Sequence, residues 1–292
     1  MAKIKYWLLA TRPRTLFAGL APVMIGSAIA YSDGKFQPAL AGIIMLASLL
    51  IQIITNFINE IYDHKKGADT AERKGPQRMV ASGLISPKEM RNGVILLSII
   101  TLILGGFIVY YSDYYILLVG VLSLLFAYSY TGGPYPLAYN GLGDIFVLIF
   151  FGIIAVCGTY YALSLDITWT VFLASLAPGF LSMNILGVNN YRDIDTDKIA
   201  NKNTLQVKLG KEKSIRLYMF LMGLSLLVPA SLYFLTGKLP HLLPLLTTPY
   251  MDKLINELKT KTGVELNSVL AGTGKLVFIH ALLTSLAFVL WK

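Results

Sequence analysis

Runs of roughly 20 mostly apolar residues recur along the whole chain, at 15–31, 38–58, 93–111, 114–130, 145–165, 169–188, 217–236 and 276–291, each about long enough to cross a ~30 Å hydrocarbon core as a helix. A weaker, proline-broken stretch at 239–251 supplies a ninth candidate. Polar residues collect between the runs, most densely at 59–91 and 190–216. The pattern predicts a single all-α, polytopic membrane domain over residues 1–292 with about nine transmembrane helices. The opening of the chain imitates a cleavable leader, with Lys3, Lys5, an apolar run and Ala28-Ile29-Ala30. The run is long and flanked by arginines, which favours a retained span.

Composition agrees with a membrane chain. Hydrophobic residues make up 55% and charged residues only 14%, against about 25% charged in soluble domains. The single cysteine, Cys157, lies inside a span and excludes both a disulfide framework and a thiolate metal site. His64, His241 and His280 share no metal-ligand spacing. Gly105-Gly106, Gly19 and Gly26 are expected to be points of close helix packing. Trp7, Trp169 and Trp291 fall at predicted span ends, where an indole keeps its ring in the interface and its N–H near water.

A net charge of +9 could signal nucleic acid, but the positions of the cations decide otherwise. With the N-terminus cytoplasmic and nine crossings, 22 of the 25 lysines and arginines lie on the cytoplasmic side and only Lys35, Lys238 and Lys292 lie opposite. That partition follows the positive-inside rule, and the inverted arrangement violates it nearly everywhere. The charge therefore reports topology, and no nucleic-acid partner is implied.

Two of the cytoplasmic loops begin with the same pattern, offset by 134 residues. The first copy, within 56–70, is Asn56-x2-Asn59-x3-Asp63-x3-Gly67-x-Asp69-Thr70, and the second, within 190–204, is Asn190-x2-Asp193-x3-Asp197-x3-Asn201-x-Asn203-Thr204. Residues three and four apart share a helix face, so Asn59 with Asp63, and Asp193 with Asp197, each form an oxygen-rich stripe. Such oxygens suit Mg²⁺, which keeps much of its water and takes one or two carboxylates together with phosphate oxygens. Asp69 is a further candidate ligand. Lys65, Lys66, Arg73, Lys74 and Arg78 follow the first stripe, and Arg192, Lys198 and Lys202 flank the second, as candidate diphosphate-binding cations. Any one of these charges taken alone reads as part of a solvated loop. Their repetition at matched spacing points to a site.

Asn59-Glu60-x2-Asp63-x3-Gly67-x-Asp69 resembles the first aspartate-rich motif of the UbiA superfamily of intramembrane prenyltransferases, and Arg192-Asp193-x3-Asp197 resembles the second. Glu60 stands where many members carry Asp, and Asn201 and Asn203 replace the Gly and Asp of the first copy. Within that superfamily, Ala10-Thr11-Arg12-Pro13-Arg14-Thr15-Leu16 and the loop from Thr131 to Asp144 look like the dihydroxynaphthoate prenyltransferases of menaquinone synthesis.

The resemblance implies a helical bundle in the cell inner membrane, built around a central cavity with cytoplasmic cap loops and a lateral opening to lipid. It implies Mg²⁺, a polyprenyl diphosphate donor and 1,4-dihydroxy-2-naphthoate as acceptor, with diphosphate and CO₂ released. Asn59, Asp63, Asp193 and Asp197 would carry the catalysis. Arg14 is the candidate partner of the acceptor carboxylate, and Tyr62, Tyr130, Tyr135 and Tyr191 are candidates for the cation and acceptor pocket. Two alternatives stay open: prenylation of 4-hydroxybenzoate or another quinone or lipid precursor, and a divalent-cation or organic-anion transporter. Transporter sites usually lie at the midplane on broken helices, whereas these acids gather at span ends beside basic loops.

Overall fold

The computed structural model describes residues 2–67 and 74–290, apart from the side chains of Ala2 and Arg14. Asp69, Arg73, Trp291, Lys292 and the side chain of Arg14 therefore lie outside the described residues.

A short helix α1 (Ala2–Ala10) precedes the bundle. Arg12 then takes a left-handed conformation, φ 52°, and Pro13 opens α2 (Pro13–Ser32). Proline suits a first helical position because its missing N–H would have no partner there. Proline opens α3 (Pro38–Lys65) in the same way, and a capping box of Ser86 and Glu89 starts α4 (Pro87–Tyr111). After α5 (Tyr115–Ser129) comes one continuous rod formed by α6 (Gly143–Leu148), a π-helical segment (Ile149–Ile154) and α7 (Ala155–Ser164). Thr168 caps α8 (Trp169–Arg192), which leads into the short α9 (Ile194–Ile199). Thr204 caps α10 (Leu205–Thr236), whose first turn is offset by Gly210 at φ 74°. A 3₁₀ segment (Leu239–Thr247) runs into α11 (Thr248–Thr260), and α12 (Leu266–Val289) closes the described chain.

Seven helical stretches among the described residues are long and apolar enough to cross a membrane: Thr15–Ser32, Pro38–Lys65, Pro87–Tyr111, Gly143–Ser164, Trp169–Arg192, Leu205–Thr236 and Gly263–Val289. This is two fewer than the sequence pattern suggests, for physical reasons. Helix α5 is apolar but has 15 residues, only about 22 Å at ~1.5 Å per residue. The stretch at 239–251 holds Pro240, Pro244 and Pro249, so it forms a 3₁₀ segment before α11 in place of one apolar helix. Both segments nevertheless join the two ends of the bundle. Helix α5 leads from the turn after α4 to Thr131, whose carbonyl meets Lys66 beyond the end of α3. The 239–260 stretch starts where His241 packs on Phe288 late in α12 and leads to Gly263 beside Lys74.

Close packing falls on Gly26, as expected, and on Gly152 and Gly179, which the sequence did not single out. A Cβ on Gly26 would lie 2.6 Å from the Val156 carbonyl, and one on Gly152 would lie 2.9 Å from Gly179 Cα, so backbones of α2, the central rod and α8 meet where side chains are missing. Gly19 has looser neighbours, starting at 3.6 Å. Gly105 and Gly106 have none within 4 Å, which corrects the packing expectation for that pair. Trp169 is exposed at the start of α8, as an interface anchor would be. Trp7 instead turns inward from α1, its ring centroid 5.4 Å from that of Phe57 and its edge filling the space left by Gly93.

Candidate functional site

The long helices enclose a cavity of about 350 Å³. Its polar mouth carries Arg12, Asn56, Asn59, Asp63, Arg78, Asn190 and Lys202, and its deeper wall is apolar, with Val23, Ile44, Ile108, Ile116, Phe150 and Ile154. Leu102, Leu117 and Val121 line the cavity and are also exposed on the outside of the bundle, which marks its side facing lipid.

The two copies of the repeat occupy equivalent places, one at the end of α3 and one across the end of α8 into α9. In the first, Asn59 Oδ1 accepts a 2.7 Å hydrogen bond from Thr131 Oγ1. Asp63 accepts from Arg78 Nη2 at 2.9 Å and from Tyr139 OH at 2.9 Å. Arg78 also approaches Glu60, which accepts from the Val80 backbone N–H and lies 3.8 Å from Arg12. Arg78 is thus a buried internal partner of two carboxylates as well as a wall of the cavity.

The second copy is wired differently. Arg192 is buried and grips Asp193 through Nε at 2.8 Å and Nη2 at 2.6 Å. It also donates to Asn189 at 2.9 Å and to Asn267 at 2.7 Å, and Asn267 in turn donates to the Lys74 carbonyl. The expected phosphate-gripping role of Arg192 does not match this geometry, because its donors are directed at protein oxygens. Asp193 is held by the same clamp and is not among the cavity-lining residues. Asp197 faces Lys202 Nζ at 3.8 Å, a longer pairing than the Arg192 clamp on Asp193.

Tyr139 joins the two copies, and the sequence reading did not single it out. Its hydroxyl reaches Asp63, Lys66 Nζ lies 4.1 Å from its ring centroid and Lys202 Nζ lies 5.4 Å from it. Its place in the Thr131–Asp144 loop was the available signal. Loss of solvation is the largest influence on Lys66 and lowers its pKa, Asp63 opposes this, and Lys202 adds to the lowering. Burial first, then the carboxylates of Asp144, Asp63 and Asp197, raise the pKa of the Tyr130 phenol and keep it protonated.

The other expected residues are dispersed. Lys65 and Lys198 are exposed, and Lys74 pairs with Asp195 at 3.9 Å. Tyr62 bonds Tyr128 at 3.0 Å outside the cavity lining. Tyr135 is 61% exposed, and Tyr191 lines a separate small cavity behind α8. Of the four tyrosines only Tyr130 lines the main cavity. Its described guanidinium groups belong to Arg12 and Arg78.

Among the described residues no three acids or histidines cluster as a ready metal site. The donor set still fits Mg²⁺: oxygens of Asn59 and Asp63 line the cavity mouth, Asp197 faces the lining residue Lys202, and this ion draws most of its remaining ligands from water and phosphate.

A family model described as the UbiA prenyltransferase family matches residues 19–253. The chain is 39% identical to the 1,4-dihydroxy-2-naphthoate octaprenyltransferase of Haemophilus influenzae over 72% of this chain and 71% of that one. It is 33% identical to the protein of the same name from Escherichia coli over 99% of this chain and 96% of that one. The fold is similar to that of a UbiA homolog from Archaeoglobus fulgidus bound to DMAPP and Mg²⁺, with a TM-score of 0.71 at 16% identity over 98% of this chain and 99% of that one.

Proposed function

Because this chain belongs to the UbiA prenyltransferase family, we propose that it transfers a polyprenyl group from a polyprenyl diphosphate to 1,4-dihydroxy-2-naphthoate, releasing diphosphate and CO₂. The observation that carries this reading is one cavity whose mouth carries Asn59, Asp63, Asn190 and Lys202 above an apolar interior. The names of the relatives support the acceptor.

The reaction breaks an allylic carbon–oxygen bond, with the electron pair leaving on the diphosphate. Lys202 at the mouth and Lys66, which shares the Tyr139 ring with it, stabilise that departing charge. Asn59, Asp63 and Asp197 would hold Mg²⁺, which when bound would further neutralise the diphosphate. The apolar wall keeps water from the allylic cation, and the ring face of Tyr130 or Phe150 offers it electron density. A ring carbon made nucleophilic by the acceptor hydroxyls forms the new carbon–carbon bond, and the carboxylate leaves as CO₂.

A carboxylate entering such a cavity needs a cation. Arg12 is the candidate whose position at the mouth is described, and Arg14 remains the second candidate. The positive-inside partition of charges read from the sequence supports a mouth at the cytoplasmic face of the inner membrane.

The test is direct product analysis with purified protein, Mg²⁺, a polyprenyl diphosphate and the naphthoate. Prenylated product and CO₂ in equal amounts are expected. Prenylation of 4-hydroxybenzoate with the naphthoate ignored would replace the acceptor, and solute flux in liposomes without turnover would replace the enzyme by a transporter. Cysteine labelling of residues near 82 and 213 is expected only from the cytoplasmic side.

A further inference from the structure

The first residue of each repeat copy, Asn56 and Asn190, lies one helical turn before the stripe residues Asn59 and Asp193. Both side chains are buried, both line the cavity, and neither amide oxygen has a hydrogen-bond partner among the described residues.

The orientation of each amide is set by its partners. Asn56 Nδ2 donates to the Thr11 carbonyl at 2.9 Å. A carbonyl only accepts, so nitrogen must face Thr11 and Oδ1 faces the other way. Asn190 reaches the same result through a longer chain. Gln206 Nε2 lies 3.4 Å from Asp144 Oδ1, and Gln206 Oε1 accepts from Asn190 Nδ2 at 3.2 Å. An ionised carboxylate also only accepts, so Asp144 fixes Gln206, and Gln206 fixes Asn190. Asp144 is buried behind the cavity wall and makes no contact that the transfer chemistry requires.

We propose that Asp144 and Gln206 are positioning residues that turn the Asn190 amide oxygen into the cavity, where it and the Asn56 oxygen accept hydrogen bonds from the two hydroxyls of the acceptor ring. The assignment rests on the proposed function for the identity of the acceptor, and it deepens that reading by naming what recognises the hydroxyls. Amide oxygens that open on a cavity and accept from no protein group among the described residues favour a ligand that donates. A diphosphate carries only acceptors at neutral pH, so these oxygens do not serve it directly.

The test is equilibrium binding of 1,4-dihydroxynaphthalene and 1-naphthol to the full chain in nanodiscs under reducing conditions, corrected with empty nanodiscs. The two ligands differ by one hydroxyl, and the parent protein is expected to prefer the first by about tenfold. Gln206→Met, close to Gln in shape, is expected to reduce the preference to about twofold or less. Asp144→Leu should act in the same direction, and Asp144→Asn, whose amide can turn to donate to Gln206 as well as accept from it, should lose part of the preference. Affinity for Mg²⁺ with a prenyl diphosphate is expected to remain within about twofold in every variant. A parent without preference, a Gln206→Met variant that keeps it, or a parallel loss of diphosphate affinity would overturn the assignment. Failure to prenylate the naphthoate alongside an intact hydroxyl preference would refute the proposed function and leave the assignment standing.

Discussion

Replacing Gly152 by alanine tests whether the crossing of the central rod and α8 sets the shape of the cavity. The added Cβ would lie 2.7 Å from the Ser175 carbonyl and 2.9 Å from Gly179 Cα. Non-bonded carbons settle at about 3.5–4.0 Å, so the rod must move away from α8 by about 0.6 Å. Both obstacles are backbone and cannot turn aside as a flexible side chain would. Overpacking of this kind costs about 1–3 kcal/mol, with the upper half expected here. Gly120→Ala is the matched control, because no atom lies within 4 Å of its added Cβ and the gain in helix propensity is common to both. At about 2–4 °C per kcal/mol, thermal unfolding in one detergent should place Gly152→Ala roughly 4–12 °C below Gly120→Ala. Turnover should fall as well, because Phe150 and Phe151 on the displaced π segment line the cavity. Equal midpoints for the two variants would refute the packing argument.

Asp63→Asn is expected to lower Mg²⁺-dependent turnover by about a hundredfold or more while the protein stays folded, since Arg78 retains Glu60; near-normal turnover, or activity in excess chelator, would remove the metal assignment. Arg192→Met should act on stability, costing about 3–5 kcal/mol by leaving Asp193 buried without its partner, and a stable variant that has only lost diphosphate affinity would reverse that reading. Lys66 attracts an anion only while protonated, and its pKa is lowered from the ordinary lysine value. Diphosphate affinity should therefore be full below that lowered pKa and weaken as pH rises through the value the bound anion restores; Lys66→Ala should weaken binding throughout and flatten this slope in a titration series.

The hydrophobic pattern located the spans because a run of apolar residues is a local property. Helix ends were less legible: α10 starts at Leu205, although its apolar run begins near 217, because a polar opening segment joins it across the kink at Gly210. The separate α1 was hidden because its residues are too few and mixed to stand out from the span that follows. Spacing alone brought the two oxygen stripes to equivalent helix ends. Spacing could not distinguish Arg192 as a clamp from Lys202 as a loosely held cation, because that depends on Asn267, 75 residues further along the chain. Tyr139 and the chain from Asp144 through Gln206 to Asn190 likewise arise from contacts between distant segments.

The apolar depth of the cavity also bears on the electrical work of the membrane. The mouth admits charged substrates, yet beyond it the walls are Val23, Ile44, Ile108 and Ile116. Moving a small ion into a medium of that kind costs on the order of 20 kcal/mol before relaxation and still several after it, whereas a membrane voltage of about 100 mV returns only about 2.3 kcal/mol per charge. A voltage of that size does not carry ions past these walls, and the hollow leaves the bilayer an insulator.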